Sequence, residues 1–554
     1  MSSTKFLRLF AGVAMGGLMA GAAIADRVVL DGASLSIDQV VAAARDPQTE
    51  VAIDDDARER LQAGFDLVMG AAAQGVAVYG LTVGVGWNKD RPAFKVEDGK
   101  RVLDDQLLDL SRAFNLSQLR AHGAGFGDAM DKDAVRAGML VRLNQMLTGK
   151  TGIQPEVAEM YRQFLIHDIV PVVPERGSLG QADITLAAHI GLAMIGEWQV
   201  DYKGQRMPAA EALADAGLTP VRPVGKDFLS IISSNALTAG QAALLSHDAG
   251  LYLDRQIVAF ALALEGFNGN VAPFLAETTE IRPFSGMVEA ATQIRAALQD
   301  SYLWQNSDTR GLQDPLSYRT MAYVMGSAIE ANSALQDALT IQINHSDDNP
   351  AVLAEHSYDG ESSQVASYQV TDGGAIYPTA NFDLLPVADK VEALNLALAR
   401  MTRSMVMQTI RYENPALTKL SRFLAADDNQ GLAFGALQVP MSALAIEARQ
   451  LSLPVSLDGL GTSAGIEDVA SNGPLAVANL EKMIELGYRI SSMQLLHAAQ
   501  AADLRAPAKL GQMTSQLHDA YRQKVPFVDE DRAFTEDLAQ GVEVLKSFQP
   551  APVN

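Results

Sequence analysis

The chain of 554 residues contains no cysteine. Thiol nucleophiles, disulfides, cysteine-ligated zinc and iron–sulfur clusters are therefore excluded. Aromatic residues are scarce at 6%, and the 8 histidines show no metal-ligand spacing, so no metal is expected. His345 near Asp347 reads more simply as a turn before Pro350. Positive charge is also in deficit. The 43 Lys and Arg against 66 Asp and Glu leave a formal charge of −23. An acidic surface of this kind argues against nucleic acid and anionic membranes as partners and favours solubility.

The N-terminus carries Lys5 and Arg8, an apolar run from Leu9 to Ile24, and Ala23-Ile24-Ala25 before Asp26. Basic residues, a short apolar run and a small-residue site form a secretory signal over residues 1–25. No later stretch reads as a spanning helix. A soluble, exported protein, periplasmic in a bacterium, is the expectation.

From residue 26 onward the periodicity is mostly helical. Residues 134–149 place Val135, Met139, Leu143 and Met146 on one face, with Gly149 as the stop. Thr238 to Leu264 is apolar nearly throughout, which suits a helix buried among helices and ended by Gly266 and Gly269. Val391 to Arg411 carries Leu394, Leu398, Met401 and Met405 on one stripe. A mainly α fold built as a long-helix bundle follows. No linker or repeat divides the chain, so one domain over 26–554 is expected, with a smaller mixed N-terminal part to about 220 and a helical part beyond it. The irregular, Gly-rich segments are 79–91, 174–183, 341–390 and 455–474, and 355–378 reads as a turn-rich insertion or hairpin. Loops held by rigid elements are where function concentrates.

Ordered motifs run along the chain, most of them in those segments: Val78-Tyr79-Gly80-Leu81-Thr82-Val83-Gly84-Val85-Gly86, Leu119-Arg120-Ala121-His122-Gly123, and Gly177-Ser178-Leu179-Gly180-Gln181-Ala182-Asp183. Leu312-Gln313-Asp314-Pro315-Leu316-Ser317-Tyr318-Arg319, Ser346-Asp347-Asp348-Asn349-Pro350, Asn381-Phe382 and Thr462-Ser463-Ala464-Gly465-Ile466-Glu467-Asp468 follow. In this order they resemble the histidine/aromatic amino-acid ammonia-lyase family. The resemblance implies an ammonia-lyase/fumarase-like helical homotetramer with sites shared between subunits. In that family an Ala-Ser-Gly triplet cyclises to methylidene-imidazolone, the electrophile that captures the substrate amine. Here Gln181-Ala182 fills the space of the triplet, so the cofactor is expected to be absent.

By this resemblance Tyr79 is the base that removes the β-proton. A free phenol has a pKa of about 10, so a working base calls for nearby positive charge. Arg319 offers a planar fork for a substrate carboxylate, with Gln313 near the same group; a structural pair of Arg319 with Asp314 is the alternative. Glu467 falls where histidine-specific members face the imidazole ring, which favours an azole over a phenyl substrate; capping a helix is its alternative, and Asp468 serves equally there. His122 matches a ring contact, and Phe382 a site wall. Asp383 replaces a histidine beside that wall and suits a cationic substrate group. Lys419 and Lys390 are further acids, or else solvated helix-face charges. Ser233 stands in place of a site asparagine unless a two-residue shift restores Asn235. Leu316 replaces a second site tyrosine, and Thr82 the asparagine of the mobile loop.

Without the electrophile, a base meets an ammonium proton far more acidic than the β-C–H. A quaternary ammonium has no such proton and leaves as a neutral amine. The substrate class expected is thus a small azole or aromatic carboxylate in betaine form, as in the cofactor-less, ergothionase-like branch that eliminates trimethylamine from ergothioneine. The freed space near Gln181 would hold the trimethylammonium group, with Trp87 or Phe382 as a cation–π partner. A non-catalytic periplasmic binder of azole or aromatic acids and an enzyme for another pre-activated substrate stay open as alternatives.

Overall fold

Eight helices position the site: α1 (Asp55–Gln74), α2 (Lys132–Met146), α3 (Ile184–Met194), α4 (Asp227–Ile232), α5 (Ala236–Phe267), α6 (Met321–Ile343), α7 (Leu385–Tyr412) and α8 (Gly473–Leu504). The computed structural model describes residues 27–93, 105–370, 373–426 and 431–549. The expected leader at 1–25 lies outside the described residues. Short strands, apart from one hairpin, fall between residues 27 and 208, so the smaller part is mixed and the remainder helical. The hairpin pairs Ala351–Leu353 with Ala375–Tyr377 in antiparallel register, Val352 opposite Ile376, where the turn-rich insertion was expected.

α5 and α8 are each 32 residues long and α7 is 28. α5 is apolar on nearly every face, and helices surround it: it packs on α2, α6 and α8. The stretch Asp227–Phe267 is in fact long and apolar enough to cross a membrane, contrary to the sequence expectation, but 94% of its most apolar window is buried inside the protein. The same composition serves a protein core here. α5 also does not end at Gly266. Asn268 takes the left-handed conformation (φ 61°) that terminates it, and Gly266 stays helical. A Cβ on Gly266 would come within 2.9 Å of the Ala498 carbonyl oxygen, so this glycine permits close approach of α5 and α8.

The central helices are tied in register by buried amides. Gln256 of α5 donates to Gln494 of α8 (2.9 Å), and Gln494 donates to Gln408 of α7 (2.6 Å). Contacts advance together along the helices, from Tyr252–Tyr488 through Gln256–Gln494 to Gly266–Ala498 between α5 and α8, and from Asn395–Ala476 to Gln408–Gln494 between α7 and α8. The three therefore run parallel and begin at one end of the bundle. Buried amides paired in this way are satisfied, whereas a one-turn slip would leave polar groups stranded in an apolar interior.

At the opposite end, Glu265 of α5 accepts from the Ser301 hydroxyl (2.5 Å) and the Gly511 amide (2.7 Å). Burial pushes its carboxyl from an ordinary 4.5 up to about 7. Between those values the folded chain keeps a proton that the unfolded chain has released, so this group costs stability as pH rises and the loss is complete above pH 7. Glu265→Gln keeps an acceptor and has nothing to ionise. Its stability relative to wild type, followed by chemical denaturation, should rise by up to about 3 kcal/mol between pH 4.5 and 7.5. A flat difference across that window would contradict this account.

Candidate active site

The loop 177–183 is held by the beginnings of four helices. Thr185 in the first turn of α3 donates to the Gly177 carbonyl (2.6 Å), and the Asp183 amide to the Ser234 carbonyl before α5 (2.7 Å). The Leu384 amide before α7 reaches the Gly180 carbonyl (3.4 Å). Before α8, the Asn472 amide reaches the Leu179 carbonyl (2.8 Å) and the Ser471 hydroxyl the Gly180 carbonyl (3.2 Å). Within the loop, the Ser178 hydroxyl accepts from the Gly180 amide (3.1 Å) and donates to the Ala182 carbonyl (3.3 Å). Ala182 adopts φ 74°, a left-handed conformation that strains a residue with a Cβ.

Converging helix N-termini concentrate positive potential, and carboxylates answer it. Asp183 accepts from the Thr238 amide and hydroxyl (3.0 and 2.7 Å). Asp347 accepts the Asn235 amide (2.9 Å), and burial pushes its carboxyl up to about 6 against the pull of Arg142. Asp383 accepts the Leu385 amide (2.9 Å), so the acid that replaces a histidine caps α7 while its side chain stays exposed.

Between Ser233 and Asn235, the structure puts Asn235 into the wall. Ser233 ends α4, its amide bonded to the Leu229 carbonyl (2.8 Å). Asn235 is fully buried and donates its side-chain amide to the Phe382 carbonyl (2.5 Å), leaving its Oδ1 with no partner. An orphaned buried acceptor beside a loop is a place for a donor from a ligand. Gln181 sits across from Asp383 in an isolated β-bridge, so Gln181, Asp383, Phe382 and Asn235 form one wall.

Tyr79 stands nearby on a loop pressed against α4: a Cβ on Gly80 would lie 2.3 Å from the Leu229 side chain. The Gly86 amide donates to the Tyr79 phenol oxygen (2.8 Å), which favours the phenolate. Burial nevertheless pushes the phenol above its ordinary value, and the charge of Glu467 adds to the rise. Among the described residues, the nearby positive charge expected of a working base is not found at Tyr79, whose charged neighbour is Glu467. Thr82, the departure from the mobile-loop asparagine, staples the loop instead: its buried hydroxyl accepts from the Val78 amide (2.8 Å) and donates to the Val76 carbonyl (2.6 Å). Glu467 caps no helix. The Thr462 hydroxyl holds its Oε2 at 2.7 Å across a small bridge between residues 462 and 467. Thr462 is a residue that sequence reasoning quoted in a motif but gave no role. His122 turns Nδ1 to the Gln118 carbonyl (2.7 Å), and its ring lies 6.3 Å from that of Phe228 in α4. Trp87 is 75% exposed beside Gly86.

Arg319, Gln313 and Lys419 are elsewhere. Tyr318 stacks on Phe267 at the last residue of α5 (4.2 Å between centroids), and the Asn270 amide bonds Asp314. Asn235, by contrast, precedes the first residue of α5. At 1.5 Å per residue the 32 residues of α5 separate the two groups by about 48 Å. Arg319 donates to the Gln313 side-chain oxygen rather than pairing with Asp314, and its Nε is buried without a partner. Lys419 lies at the same far end. It folds its ammonium back onto the Ala416 carbonyl (2.9 Å), next to Thr418, whose carbonyl Arg505 grips together with that of Gly266. Lys390 is an exposed residue of α7.

Comparison with known proteins gives this geometry its setting. The model of the aromatic amino acid lyase family matches residues 35–523. The chain is 32% identical to histidine ammonia-lyase from Stigmatella aurantiaca over 515 residues, 93% of this chain and 95% of that protein. Among solved structures it resembles ergothionase from Treponema denticola, an ergothioneine-degrading enzyme in complex with desmethyl-ergothioneine sulfonic acid, with 34% identity and TM-score 0.86 over 94% of this chain and 99% of that one. Tyrosine aminomutase from Streptomyces globisporus is similar at 26% identity and TM-score 0.82, over 94% and 97% of the two chains. This chain belongs to the aromatic amino acid lyase family and is a carbon–nitrogen lyase.

Proposed function

We propose that the enzyme eliminates trimethylamine from a histidine-derived betaine such as ergothioneine, without a methylidene-imidazolone. The observation that carries this reading is the loop 177–183. The Ala-Ser-Gly triplet is missing, Ser178 is hydrogen-bonded on both sides, and the carbonyls of Leu179 and Gly180 are tied to the starts of α7 and α8. These residues do not suit the family's ring. The likeness to ergothionase from Treponema denticola supports the same reading.

The chemistry needs a base, a ring that accepts electron density and a leaving group that departs unaided. The Tyr79 phenolate takes the β-proton. The C–H electron pair becomes the new double bond, and the C–N pair leaves with nitrogen as neutral trimethylamine. Glu467, held by Thr462, accepts an azole N–H, and the wall of Gln181 and Asp383 receives the trimethylammonium group. Asn235 Oδ1 faces a substrate donor. Arg319 clamps the carboxylate, with Gln313 beside it, and Lys419 and His122 complete the surround.

A distance of about 48 Å between Asn235 and Arg319 cannot be bridged by a small substrate, so this assignment requires Arg319 of another subunit, in a homotetramer with shared sites. Such an arrangement also brings Tyr79 the positive charge that is missing around it among the described residues.

Three outcomes follow. Purified protein incubated with ergothioneine should release trimethylamine with a new ultraviolet-absorbing product, and no ammonia should appear from histidine or phenylalanine; ammonia from histidine would sink the reading. Glu467→Gln removes a charge that raises the Tyr79 pKa. The alkaline rise of its kcat should therefore move to lower pH while KM for the azole increases, and an unmoved pH profile would separate the two residues functionally. Tyr79→Phe and Arg319→Ala, each inactive alone, should regain about a quarter of wild-type activity when their subunits are dissociated and reassembled in equal amounts. No recovery from correctly reassembled mixtures would place both residues in one chain's site.

A further inference from the structure

The hairpin between Ala351 and Tyr377 has no part in the wall described above, yet it does not stand free. Among the described residues, most buried apolar side chains join one main cluster, and a few form a small satellite. The satellite joins Val68 of α1 to Val78 and Leu81, which flank Tyr79, and to Val352, Val370 and Ile376 of the hairpin. All six are at most 5% exposed. Val352 and Ile376 are paired across the hairpin, so they face the same side.

The hairpin is anchored at both ends to the site. The Thr379 hydroxyl donates to the Asp348 carbonyl (2.7 Å), and the Asn349 side chain accepts the Thr379 amide (2.9 Å). Thr379 leads directly to Phe382 and Asp383. In its first strand, the Val352 amide bonds the Lys150 carbonyl (3.0 Å). One excursion of chain thus leaves the bundle beside Asp348, packs under the Tyr79 loop, and returns as the wall opposite Gln181.

We infer that Val352, Val370 and Ile376 are positioning residues that hold Tyr79 at its working place. The physical reason is the size of the satellite. The loop packs Tyr79 and Val85 against the main core on one side, while Val78 and Leu81 on its other side are buried in the satellite. Without the hairpin side chains, Val78 and Leu81 would keep only α1 packed against them, and the Gly-rich backbone with its four turn hydrogen bonds would sample many conformations. A base that must meet a C–H bond tolerates little misplacement. The hairpin supplies the packing that fixes the loop, and Thr82 fixes its base.

This inference rests on Tyr79 acting as the base, so its test combines a kinetic readout with one independent of substrate. In full-length Ile376→Ala, amide exchange at Leu81, Thr82 and Val83 should quicken about tenfold or more, while amides of α5 and α8 keep their protection. kcat on ergothioneine should fall about tenfold with KM changed less than about threefold, because the groups that bind substrate stay in place. Ile376→Leu, which conserves volume, should restore both values, and Val370→Ala should give a milder version of the same pattern. Unchanged exchange at the three amides in Ile376→Ala overturns the inference, as does faster exchange with an unaltered kcat. If the wild type turns over no betaine, the proposed substrate fails and the exchange data alone decide whether the hairpin holds the loop.

Discussion

Two buried cations facing two buried carboxylates organise this molecule. Arg142 of α2 reaches Asp347 at 3.3 Å and Asp348 at 2.9 Å, and Lys226 at the start of α4 reaches Asp348 at 3.0 Å. All four are nearly or wholly sealed from solvent. Desolvating each ion costs several kcal/mol, and only close pairing in balanced charge offsets it, so removing any one member would leave an uncompensated charge worth about 3–5 kcal/mol. Because the geometry must be kept, everything attached to it is kept as well. Arg142 also donates to the Ser230 carbonyl and Lys226 to that of Thr151. Asp347 accepts the Asn235 amide, and Asp348 supplies the carbonyl that roots the hairpin. The start of α5, the wall residue Asn235 and the support beneath Tyr79 all descend from this quartet.

The second constraint is length. Three parallel helices of 28 to 32 residues cannot bring their two ends together. Residues suited to proton removal and to azole contact stand at the beginnings of these helices, and residues suited to carboxylate binding stand at their ends. The buried glutamine chain from Gln256 through Gln494 to Gln408 makes the bundle a rigid spacer. On the proposed function, that rigidity is what allows one subunit to present Arg319 to another at a fixed place.

Much of this was legible in the sequence, and the misses have physical causes. Apolar runs reported α5 to within three residues at each end, because burial on several faces leaves a composition that few other structures tolerate, whereas the single stripe of α7 missed its first six residues from Leu385. The end of α5 was misread at Gly266, since a glycine needed for helix contact looks like a glycine needed for a stop. The choice between Ser233 and Asn235 was left open, because a shift of two residues after α4 is a matter of how that helix ends. Thr82 read as a lost asparagine and Asp383 as an added acid; their hydrogen bonds show a staple and a helix cap. The state of Tyr79 was the furthest from view. Its raised pKa depends on burial and on Glu467, which is distant in sequence and brought close only by folding.

By itself, the sequence determined the helical class, the family and the missing triplet at Gln181-Ala182, because periodicity and short motifs are local properties of the chain. It also named Tyr79, Glu467, Asn235 and Arg319 as residues with chemistry to offer. Tertiary structure alone decided that the first three stand at one end of the bundle and Arg319 at the other, since separation in space depends on helix length and direction. It alone showed that a hairpin without catalytic side chains shares a small core with the Tyr79 loop, because such a core is assembled from segments more than 250 residues apart.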